Sequence, residues 1–233
     1  MPNTLGSIAA PWWDGRPAWI IGGGASARGL PLDDLKDSGG TVVAINDSAL
    51  ALPWAQAVVS VDRHWISRRQ NFLRSFAGEV ILGVTDVEGD LYPPDMPGTL
   101  VRVSQRGEPV SMAPTLIKSA GHSGHAGINV ALLKRARLIF LVGFDMKVAD
   151  DGADHWHGGY AWPGTLNHAH YPRRAKEMDK LAVAVQKIGA RVFNLNPDSA
   201  ITAFPFLTFG EALALCSTSP SSSSPAADTP AIG

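Results

Sequence analysis

All seven histidines fall in polar or glycine-rich stretches, and none in an apolar run: His64, His122, His125, His155, His157, His168 and His170. An ordinary imidazole titrates at about 6.5, so its neutral form can take a proton from an alcohol at neutral pH. Transfer of a glycosyl or phosphoryl group to a hydroxyl needs such a base. His157 and His170 are the preferred pair for that work, with His168 beside them. The leaving group of such a transfer gathers negative charge and needs donors around it. Ser26, Arg63, the Ser123 turn, Tyr160 and Tyr171 are candidates. The His-Ser-Gly-His, Asp-His-Trp-His and His-Ala-His stretches could also ligate a metal, with Asp62 or Asp145 as carboxylate. Because His122 and His125 flank a helix start, a phosphate contact explains them more simply, and no metal site is assigned. Trp156 and Trp162, inside a polar loop, are placed to touch a base or sugar.

A second set of polar groups ends the apolar runs: Gly22-Gly23-Gly24-Ala25-Ser26, Asn46-Asp47-Ser48, Asp62, Gly143-Phe144-Asp145 and Asn196-Pro197-Asp198-Ser199. Gly121-His122-Ser123-Gly124 opens a helix. Glycine lets a backbone approach a ligand closely, and amides at a helix start attract phosphate. Turn chemistry alone also ends strands on Gly and Asp. The joint placement nevertheless favours a ligand between the first turn and Ser123-Gly124. The expected nucleotide contacts are Gly22, Gly23, Gly24, Ser26, Asn46, Asp47, Asp62, His122, Ser123, Gly124, Gly143, Asp145 and His155. A nicotinamide fingerprint fails: Ala27 stands where the third glycine belongs, and Asn46 rather than an acid closes the second run. No P-loop pattern exists.

These groups need a frame. "PAWII", "TVVAI", "PWAQAVVSVD", "EVILGVTD", "RLIFLV" and "ARVFNL" read as buried strands, with helices predicted after the glycine turn, over "RHWISRRQNFLRSF", "GHSGHAGINVALLKRA", "PRRAKEMDKLAVAVQKIG" and "FGEALAL". Residues 86–112, rich in Gly, Pro and charge, read as an irregular excursion. Alternating strands and helices predict one α/β domain: a Rossmann-like, doubly wound, mostly parallel sheet with helices on both faces. Ligands of such sheets bind beyond the carboxyl ends of the strands. The predicted organisation is a lead-in over 1–16, the domain over 17–216 and a disordered Ser/Pro/Ala tail over 217–233.

"IIGGGAS" followed by "VVAINDSALALPWAQAVVSVDRHW" resembles the sialyltransferase-like proteins with an MptE-like (6-hydroxymethylpterin diphosphokinase-like) Rossmann domain. "HSGHAGINVALLKRARLIFLVGFDM" resembles their second signature, and "FNLNPDSAI" their late Asn-Pro-x-Ser turn. With "HWHG" after the Gly-x-Asp strand, the chain looks like a bacteriophage or prophage branch. The resemblance implies nucleotide contacts at Gly23, Gly24, Ser26, Asn46, Ser123 and Gly124, and a histidine base at His168 or His170. It implies a CMP-, UDP- or similar sugar donor used without metal, or, in the pterin relatives, ATP. Ala25 stands where the family has proline.

The net charge of -1 leaves no basic excess to advertise nucleic acid. The single cysteine, Cys216, excludes a disulfide framework and fits a reducing, cytoplasmic setting. No apolar run is long enough for a membrane span, and the opening lacks a signal-peptide pattern. The expected function is a nucleotide-dependent transferase of glycosyltransferase type. Its expected partner is a small-molecule nucleotide donor; the acceptor is left open by the residues, the resemblance pointing to a glycan or a modified DNA base, and an oligomer is compatible with the sequence. A Mg²⁺-dependent pyrophosphokinase acting on a pterin-like or nucleoside alcohol is the first alternative, and a non-catalytic nucleotide-binding module the second.

Overall fold

Eight short apolar runs pair into one sheet: β1 (Ala18–Ile21), β2 (Thr41–Ile45), β3 (Ala57–Ser60), β4 (Glu79–Val84), β5 (Thr99–Ser104), β6 (Leu116–Lys118), β7 (Leu138–Val142) and β8 (Arg191–Asn194). Their order is β6-β5-β4-β3-β2-β1-β7-β8, and every pairing is parallel. The computed structural model describes residues 5–9, 13, 15–85, 92, 95–153, 155–158 and 168–218. Tyr160, Trp162 and the tail beyond Thr218 lie outside the described residues.

Side chains alternate across a strand, so a strand covered on both faces must be apolar throughout. β1, β2, β3 and β7 are buried at every position. Ile20, Val43, Val59 and Leu141 join one core with α4 (Ser123–Leu133) and α5 (Tyr171–Lys187), through Ile128, Leu132, Met178 and Leu181. Trp19, Val42, Val58 and Phe140 join the other, against α2 (Arg63–Arg68), α3 (Gln70–Ser75) and α6 (Phe209–Thr218). The remaining helix, α1 (Ser48–Ala51), is one turn. The architecture is therefore the expected α/β, Rossmann-like sheet with helices on both faces.

Three local expectations change. The glycine turn opens no α-helix, only a single 3-10 turn over Ala25–Ala27. The predicted helix after Asp62 is two helices broken at Arg69, whose φ of -107° leaves the helical region. The stretch expected to be irregular contains β5, with β6 just beyond it. These outer strands are short and partly exposed at Arg102 and its neighbours, so they carry no apolar run to betray them. α6 ends at Thr218, two residues past the expected domain boundary. In the lead-in, Ile8 and Trp13 pack into the first core.

From β1 the chain lays β2 to β6 on one side of the sheet, then crosses to place β7 and β8 on the other. The carboxyl ends of β1 and β7 thus flank the topological switch point, where such sheets bind ligands.

Candidate functional site

The ends of β1 and β7 approach so closely that side chains are excluded. A Cβ on Gly22 would lie 2.6 Å from the Gly143 carbonyl oxygen, and one on Gly24 2.6 Å from the Asp145 Cγ and 2.7 Å from the same carbonyl. Gly143 has φ +69° and meets the Gly22 oxygen in turn. The Gly22 amide donates to the Val142 oxygen at 2.7 Å, and Gly24 to Gly143 at 2.9 Å. Gly22 and Gly24 are thus required by the meeting of two strand ends. Asp145 fastens the junction: it accepts the Ser26 amide at 2.9 Å, the Ser26 hydroxyl, and the Asn196 amide group at 2.8 Å.

The His-Trp-His segment lies over this turn. The Trp156 amide donates to Gly23 at 3.0 Å and its indole to the Gly22 carbonyl at 2.9 Å. The indole N–H of Trp156 is thus engaged by the backbone. A Cβ on Gly23 would meet side chains alone: the His155 ring at 2.7 Å and the His157 Nε2 at 3.5 Å. His155 and His157 rings are 5.1 Å apart. Burial first, then the neighbouring His155, lowers the His157 pKa to about 4, against the opposing pull of Asp47. His157 is therefore neutral at pH 7 and a weak base.

Three expected contacts hold places in the frame. Asn46 sits at φ +52°, a left-handed position that asparagine tolerates better than most residues. Asp47 accepts the Arg69 guanidinium through two bonds of 2.9 and 2.8 Å and the Trp65 indole at 2.6 Å. Asp62 caps α2 by accepting the amides of His64 and Trp65. None of the three lines the cleft described next.

Between the glycine junction and α4–α5 lies an open cleft with about 580 Å³ of atom-free space. Gly22, Gly23, Gly24, Gly143 and Asp145 form one wall, with His155 at its edge. Ile45 from the end of β2, His122 and Gly124 from the start of α4, Phe144, Met146 and Lys147 after β7, and Tyr171 and Arg174 from α5 form the rest. His122 caps α4: its Nδ1 accepts the His125 amide at 3.2 Å. Its Nε2 is buried and has no hydrogen-bond partner among the described residues. Burial, reinforced by His125 and by Arg174 and Arg173, pushes its pKa well below the ordinary value. The neutral ring with Nδ1 accepting carries its proton on Nε2. His125 donates from Nε2 to the Pro109 carbonyl at 2.6 Å and belongs to the frame. Ser123 is buried and its hydroxyl accepts the Val61 amide at 3.0 Å.

His168 and His170 occupy an exposed 3-10 turn before α5, and neither lines the glycine cleft. His168 lines an adjoining groove that shares Met146, Lys147 and Tyr171 with the cleft. The structure thus brings together the glycine turns, Asp145, His122, Gly124 and His155, and leaves Ser26, Asn46, Asp47, Asp62, Ser123, His157 and His170 outside the lining. Sequence reasoning passed over Met146, Lys147 and Arg174. Arg174 stands three residues after Tyr171 on one helix, a spacing that puts both side chains on one face. Met146 has φ +49°, an uncommon strain for such a residue. Among the described residues, no group of three or more His, Cys, Asp or Glu could hold a metal ion, and no helix is long and apolar enough to cross a membrane.

No protein-family model matches the chain, and no curated protein matches it in sequence. Among solved structures, it is similar to the MAf glycosyltransferase from Magnetospirillum magneticum AMB-1, with a TM-score of 0.56 at 15% identity. The match covers 89% of this chain and 36% of that one, so the chain spans little more than a third of the glycosyltransferase's length. At this identity the likeness is one of fold.

Proposed function

We propose that the chain is a nucleotide-dependent transferase of glycosyltransferase type. The observation that carries this is the cleft at the switch point, walled on one side by side-chain-free glycine backbone and on the other by His122, Tyr171 and Arg174. The fold likeness to a glycosyltransferase and the sequence resemblance to sialyltransferase-like proteins support the same reading. The acceptor oxygen attacks the donor sugar carbon, the bond to phosphate breaks, and the electron pair leaves with the nucleotide. His168, in the groove that shares a wall with the cleft, is the favoured base for the acceptor proton. A glycan or a hydroxymethylated pyrimidine in DNA is the acceptor suggested by the resemblance.

The Mg²⁺-dependent pyrophosphokinase is less favoured, because both carboxylates expected to serve it are engaged. Asp62 caps a helix, and Asp145 accepts from Ser26 and Asn196. Melting with CMP, UDP, ADP and GDP tests the proposal. At a hundredfold excess over Kd, a bound nucleotide should raise Tm by about 5–10 °C. The absence of any shift across all four defeats the proposal. His168→Ala should abolish transfer from the matching nucleotide sugar while nucleotide affinity stays within about twofold of wild type.

A further inference from the structure

Arg174 presents an electrostatic imbalance. It is half-buried in the cleft wall, yet no ion pair among the described residues includes it. Its Nη2 donates to the Gly121 carbonyl at 3.3 Å, while its Nε is buried without a hydrogen-bond partner. The Asp62 carboxylate pulls on it only from beyond ion-pair distance. A partly desolvated guanidinium with an unfilled donor is costly, and a bound anion lowers that cost. His122, the residue after Gly121, adds the unpartnered Nε2–H in the same cleft. The opposite wall offers less to an anion: the amides of Gly22 and Gly24, and of Ser26 beside them, donate to protein acceptors, which leaves the Gly23 amide, and the Asp145 carboxylate lies at that end.

Resting on the nucleotide-donor reading above, we infer that the cleft is polarised: the Arg174 guanidinium and His122 Nε2–H bind the phosphate of the donor, and the glycine wall receives its nucleoside. This reverses the usual assignment of phosphate to the glycine turn. It makes Arg174 and His122 binding residues for the leaving group, with His122 acting as a neutral donor. Lys147, on the rim, extends the positive field toward the opening.

The test is calorimetric binding of CMP, UDP, ADP and GDP, their parent nucleosides, and inorganic phosphate. The proteins are wild type, Arg174→Gln and His122→Asn; asparagine retains the cap acceptor for α4 but cannot reach as Nε2 does. Circular dichroism checks that each variant is folded. The inference expects a nucleotide to bind wild type at least tenfold tighter than its nucleoside. Arg174→Gln should remove about tenfold or more of nucleotide affinity, and His122→Asn several-fold, with nucleoside binding unchanged. Inorganic phosphate competing with the nucleotide in wild type but not in Arg174→Gln supports a phosphate subsite over a nucleoside-directed effect. Undiminished nucleotide binding by both folded variants overturns the inference and leaves the nucleotide reading standing. If neither nucleotides nor phosphate bind wild type, both fail.

Discussion

At the residue scale, chemistry and sterics compete for the same glycines. Their presence at the end of β1 is evident in the sequence, but their reason is visible only where β1 meets β7. Gly22 and Gly24 face backbone oxygen or Asp145, which cannot move aside, whereas Gly23 faces the side chain of His155. Gly22→Ala and Gly24→Ala should each destabilise by about 1–3 kcal/mol, and Gly23→Ala by less than about 1 kcal/mol, measured by urea unfolding. Equal costs at the three positions would contradict this steric account. Gly23→Ala should instead alter ligand binding, because His155 edges the cleft. The sequence points to His122 as a phosphate contact, and the structure sets it in the cleft lining. Arg174 was passed over because nothing local distinguishes it from Arg173.

At the element scale, Asp47 shows how a strand end can look like a ligand site. It follows β2 as a ribose-binding acid would, yet it ties Arg69 and Trp65 to the sheet. Arg69 is also where α2 gives way to α3, so the bidentate pair sets the corner between two helices. Asp47→Ala leaves a buried indole and a half-buried guanidinium without this acceptor. It should cost about 3 kcal/mol, read as a fall in urea midpoint with an unchanged slope. A loss under about 0.5 kcal/mol would show that the pair does not hold the corner. The central strands were legible because both faces are buried; β5 and β6 were not, because their stability comes from parallel neighbours rather than from an apolar run. Asn129 contributes to this ordering through space: its side chain accepts from the Ser111 and Lys118 amides and pins β6 to α4.

At the scale of the whole molecule, the fold buries imidazoles that the unfolded chain exposes. The folded-state pKa values of His122, His125 and His157 are all lowered, mainly by burial. Below about 6.5 the unfolded chain therefore binds protons that the folded chain refuses. Their contribution to stability is complete above that value and declines as pH falls, for His157 down to about 4. The urea midpoint should drop between about pH 7.5 and about pH 5, and His157→Gln should flatten part of that drop. A midpoint that holds or rises over this range would contradict the burial of these rings. The sequence by itself determined the α/β class, the central strands and the polar strand ends, because these follow from local hydrophobic pattern and turn chemistry. The strand order, the crossing that puts β1 beside β7, and the meeting of Arg174 with His122 were decided by the tertiary structure. The pairing of Ala18 with Ile139 and the bond from Arg174 to Gly121 join positions far apart in the chain, across which no local pattern acts.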